Sequence, residues 1–70
     1  MDHTATKITQ AAIATYQRIV DRYQNEIDSL NARYSGVRPG WVSADLAIYA
    51  RNRDRSQAEI DRLRAKISQT

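Results

Sequence analysis

Cysteine and phenylalanine are absent from this 70-residue chain. Without thiols there is no disulfide framework and no thiolate metal site to brace a small fold. There is one proline, at position 39, and the two glycines lie close to it, at positions 36 and 40. Turn chemistry is therefore confined to Ser35-Gly36-Val37-Arg38-Pro39-Gly40, and little else in the chain interrupts a helix. His3 is the only histidine. It has no second ring nitrogen to join it, and there is no HExxH pattern, glycine-rich phosphate loop or Ser/His/Asp set. No apolar run approaches the roughly 20 residues that span a bilayer. Met1-Asp2-His3-Thr4 does not read as the start of a signal peptide. These absences point to a soluble, cytoplasmic, non-enzymatic protein with no metal and no cofactor. The neighbouring carboxylates do not change that reading. Glu26 and Asp28, like Glu59 and Asp61, are two residues apart and point to different faces of a helix. They are better read as surface ion pairs: Arg22 with Glu26, Arg55 with Glu59, Glu59 with Arg62.

What the chain does contain is helical periodicity. Ile13, Tyr16, Val20, Tyr23, Ile27, Leu30 and Tyr34 follow at alternating steps of three and four. That spacing is the a/d stripe of a heptad seam. A second seam runs through Val42, Leu46, Tyr49, Arg53, Ser56, Ile60, Leu63 and Ile67. Folding the chain back in the turn pairs residue i with roughly 75 − i, and the two seams then match over most of their length. The expected fold is all-α: an antiparallel two-helix hairpin spanning residues 1–70 as one domain. The expected bounds are a helix over about 5–35, a turn at 36–40 and a helix over about 41–68. Residues 1–6 are expected to fray. Thr4 or Thr6 is the expected N-cap of the first helix, Gly36 its left-handed C-terminal stop, and Ser43 a cap for the second, with Asp45 in its first turn.

Two such helices are marginal alone. Ile8, Ala12 and Ile19 flank the first seam, and Ala44 and Ile48 flank the second. Alanine on a second face can be a helix former on a solvated surface. The preferred reading is a subunit interface and a homo-oligomeric helical bundle. Trp41 either packs on Tyr34 and Val37 at the turn or anchors that interface.

Net charge is only +3, but nine of the 11 basic residues are arginine. Arginine suits bidentate contacts to carboxylate or phosphate. Arg53 and Ser56 break the second seam with two successive polar positions. One reading is a register device, with the Arg53 stem lying on Tyr23 and its head in water. The other is an anion pocket: Arg53, Arg22 and Arg51, with Tyr23 and Tyr16 for stacking and Arg18 and Arg55 alongside.

Gly40-Trp41-Val42-Ser43 opening the second helix, with residues 48–51 one to two turns later, resembles the helical-hairpin family of phage proteins that sequester cyclic oligonucleotide signals of the anti-phage CBASS system. The resemblance is one of architecture. It implies oligomeric hairpins that hold nucleotides between subunits without chemistry, and it assigns no binding residue here. The expected function is non-enzymatic binding of an anionic nucleotide-like or nucleic-acid partner through Arg and Tyr. The alternative is a protein–protein adaptor or inhibitor that docks helix faces on a larger protein.

Overall fold

The computed structural model describes residues 3–68, with only the backbone for His3. The expectations for Met1, Asp2 and the His3 side chain lie outside the described residues. Two helices, α1 (His3–Arg33) and α2 (Gly40–Ser68), run antiparallel as a hairpin 55 × 14 × 13 Å in extent. No strand occurs among the described residues.

α1 contains neither glycine nor proline, and α2 has glycine only at its first position. Side-chain pairs one turn apart support both helices. Gln17 Nε2 donates to Asp21 Oδ1 at 3.1 Å, Gln24 Nε2 to Asp28 Oδ1 at 2.9 Å and Gln57 Nε2 to Asp61 Oδ1 at 3.1 Å. Each pair contributes about 0.2–0.5 kcal/mol to helix formation.

Every position of the two seams is buried or half-buried. The buried core consists of Ile27, Leu30, Val42, Ile60 and Leu63, with Val42 and Ile60 fully enclosed. Val42 belongs to the turn end; Ile60 and Leu63 belong to the open end. Between them the seam is filled by half-buried Tyr23, Tyr49, Arg53 and Ser56. Aromatic contacts fix the register. Tyr34 and Trp41 meet edge-on with ring centroids 5.3 Å apart, and Tyr23 and Tyr49 meet at 6.0 Å.

The helix ends differ from expectation. α1 begins at His3, so Thr4 and Thr6 lie inside it and do not cap it. Its last turn closes through the Tyr34 N–H to the Leu30 carbonyl, 2.9 Å. The Arg38 Nε then donates to the Tyr34 carbonyl at 2.8 Å. An arginine side chain thus satisfies a terminal carbonyl that a left-handed glycine would otherwise help to cover. Gly36 accordingly has no positive φ. At α2 the Pro39 carbonyl accepts from the Val42 N–H at 3.0 Å. That bond places the helix start three residues before Ser43, which is interior, and leaves no acid in the first turn. Val37 is 99% exposed, so Trp41 packs on Tyr34 and gains no cover from Val37.

Candidate functional site

The heptad phase divides the outside of the hairpin into two flanks. In an antiparallel pair the g positions of both helices lie on one side of the seam and the e positions on the other. The g side, with its neighbouring c positions, carries Ile8, Ala12, Ile19, Arg22 and Glu26 from α1. From α2 it carries Trp41, Asp45, Ile48, Arg55, Glu59 and Arg62. The e side, with its b positions, carries Gln17, Asp21, Gln24 and Asp28 from α1, and Asp54, Gln57 and Asp61 from α2.

The g side contains an open groove of about 490 Å³ lined by Ile19, Arg22, Tyr23, Glu26 and Tyr49. The α1 residues are spaced i, i+3, i+4 and i+7, one stripe of a helix. The tyrosine rings form its floor, tilted 35° to each other. Arg22 and Glu26 face the groove without forming an ion pair, so its wall offers one charge of each sign. Of the expected pairs, Glu59 with Arg62 forms: Arg62 Nη2 and Nε reach Glu59 Oε2 at 2.8 and 3.1 Å. Those hydrogen bonds first, and the charge of the same carboxylate next, hold the Arg62 guanidinium above its ordinary value. Glu59 therefore pairs with Arg62 and not with Arg55.

The structure separates the arginines that the sequence groups together. Arg22 and Tyr23 reach the groove. Arg53 turns to the e side, where its Nη1 donates to Gln24 Oε1 across the seam at 2.9 Å and its Nε to Asp54 Oδ1 at 3.0 Å. Its side chain is only 29% exposed. Arg18 and Arg51 occupy f positions on the outer backs of α1 and α2, away from both the groove and Arg53. Arg55 is exposed on the g side. Tyr16 is a half-buried seam residue.

Of the expected interface residues, Ile8, Trp41 and Ile48 are 65%, 50% and 49% exposed. Ala12 and Ile19 are half-buried beside them. Ala44 is exposed but sits at an f position on the back of α2. Five of the six thus share one flank with the groove. Sequence reasoning missed Glu26 and Tyr49 as groove residues and Gln24 as the partner of Arg53. The recurrence of glutamine at e positions 10, 17, 24 and 57 was the available signal for the last of these.

Among the described residues no group of His, Cys, Asp or Glu is arranged to hold a metal ion, and no helix is long and apolar enough to cross a membrane. No protein-family model, curated protein or solved structure matches the chain.

Proposed function

We propose that this protein is a non-enzymatic interaction module that binds a protein partner through the g side of its hairpin. One observation carries the reading. Among the described residues four large hydrophobic side chains are exposed, and three of them, Ile8, Trp41 and Ile48, lie on that flank. Scattered single apolar residues are ordinary on a protein surface; an aligned set rimmed by charges marks a binding face. The e side makes the contrast, because its carboxylates are engaged by glutamines and Arg53.

A photo-crosslinking residue placed at Ile48 tests this in the producing cell. Adducts are expected at position 48 and not at Asp54 on the opposite flank. An absence of adducts at 48, or equal yields at both positions, counts against the reading.

A second reading rests on the groove. Arg22 beside two tyrosine rings suits a mononucleotide-sized anion, with a base stacking on Tyr23 or Tyr49. Ligand at about 100 times its dissociation constant should add about 2.7 kcal/mol of stability. A melting screen of mononucleotides, cyclic dinucleotides and short single strands at low salt checks it. Arg22→Ala should remove the shift, while Arg64→Ala, at an e position, should leave it. A panel without any shift eliminates this reading.

A further inference from the structure

We infer that the occupant of the g side is a second copy of this chain, docked about a two-fold axis so that the same flank faces itself. This rests on the interaction-module reading and names its partner.

Surface area is the first argument. A compact monomer of 8.0 kDa exposes about 4,450 Å². This chain exposes 5214 Å², an excess of about 750 Å². A standard interface buries about 800 Å² on each partner. The shape agrees: the radius of gyration is 16.0 Å, against about 11 Å for a compact domain of this length. The hairpin leaves uncovered about as much surface as one subunit contact removes.

Charge is the second argument, and it selects the flank. A two-fold contact sets a surface against itself, so a surface of one sign repels its copy. Along its middle the g side mixes signs, with Arg22, Arg55 and Arg62 against Glu26, Asp45 and Glu59, while Arg33 lies at the turn end and Lys66 at the open end. Along its middle the e side presents Asp21, Asp28, Asp54 and Asp61 against the single guanidinium of Arg53, with Lys7 and Arg64 toward the open end. Docking e side on e side would bring these carboxylates together. Docking g side on g side sets residues of both signs against each other between the apolar side chains.

The apolar residues are also spread along the flank. Ile8 lies at the open end of the hairpin, Ile48 toward its middle and Trp41 at the turn. Covering all three requires the copies to overlap along their length, which yields a four-helix bundle and not an end-to-end filament.

Sedimentation equilibrium of the full chain at micromolar concentration tests the proposal. The expected mass is twice the 8.0 kDa of the chain. Ile48→Glu should return it to the single-chain mass while circular dichroism stays helical. Ala47→Glu is the control: it introduces the same charge one residue away, on the opposite flank, and should leave the mass doubled. A wild-type mass of one chain overturns the inference, as does a doubled mass that responds to Ala47→Glu and not to Ile48→Glu. Crosslinking separates the two levels of the argument. Adducts at position 48 to a different protein, with a single-chain mass in solution, overturn the second copy and leave the interaction flank standing. No adduct of any kind overturns both.

Discussion

Arg53 shows how a single polar residue is accommodated in a narrow seam. Its aliphatic stem covers part of the core, and its guanidinium bonds Gln24 across the seam and Asp54 beside it. Stem and head have opposite energetic signs. The stem contributes burial, whereas the partly dehydrated head costs solvation that its hydrogen bonds only partly offset. Replacing it with leucine keeps the packing and removes the charge. Arg53→Leu should therefore raise stability by about 1 kcal/mol, at the low end of what buried ion-pair replacements yield. Arg53→Ala should lower it by about 1 kcal/mol, because the stem is lost and the Gln24 carbonyl loses its donor. Urea melts of both variants decide the matter. A loss of stability on Arg53→Leu would mean that the bond to Gln24 outweighs burial at this position.

At the scale of the element, the turn is where local sequence signals and the structure part company. Gly36 between a helix and a proline reads as a left-handed stop, yet its φ is not positive and a Cβ there meets nothing within 4 Å. Arg38, four residues on from Tyr34, does the capping instead, a side-chain alternative to the glycine stop at a helix C-terminus. Gly40 opens α2 with ordinary φ and equally open space. Both glycines thus cost unfolded-state entropy without supplying a conformation that only glycine can reach. Gly36→Ala and Gly40→Ala should each stabilise by about 0.4–1 kcal/mol, read as an increase in melting midpoint. Destabilisation at Gly36 would show that the turn samples a left-handed conformation after all. Arg38→Ala should cost about 0.5–1.5 kcal/mol, the net contribution of the bond to the Tyr34 carbonyl.

At the scale of the whole molecule, the five side chains buried among the described residues must hold two helices of 31 and 29 residues. Such a core resembles one layer of a bundle more than a self-sufficient domain. Pairing along the g side predicts a distinctive shape in solution. Small-angle scattering should show a doubled mass with a longest dimension close to that of one hairpin, whose Cα extent is 55 Å. A longest dimension near twice that value would indicate contact through the turn end, where Val37 is exposed, and would contradict the overlapping arrangement.

The heptad steps alone determined the fold class, the number of helices and the antiparallel pairing. Side chains at three- and four-residue spacing can be buried together in one way only, and the single cluster of turn residues left one place to reverse. The helix bounds followed to within two residues for the same reason. The site was only partly legible. Arg22 and Tyr23 share a groove, as their spacing on one helix allows, but Arg53 and Arg51 do not join them. Residues two apart on a helix diverge by about half a turn, and which way a long seam side chain leans depends on the acceptors of the opposite helix. Gln24 of α1, together with Asp54, the next residue along α2, draws Arg53 to the e side. Sequence spacing sets where each Cβ lies; only the packed pair of helices decides where a flexible guanidinium ends, because one of its two partners, Gln24, is 29 residues away.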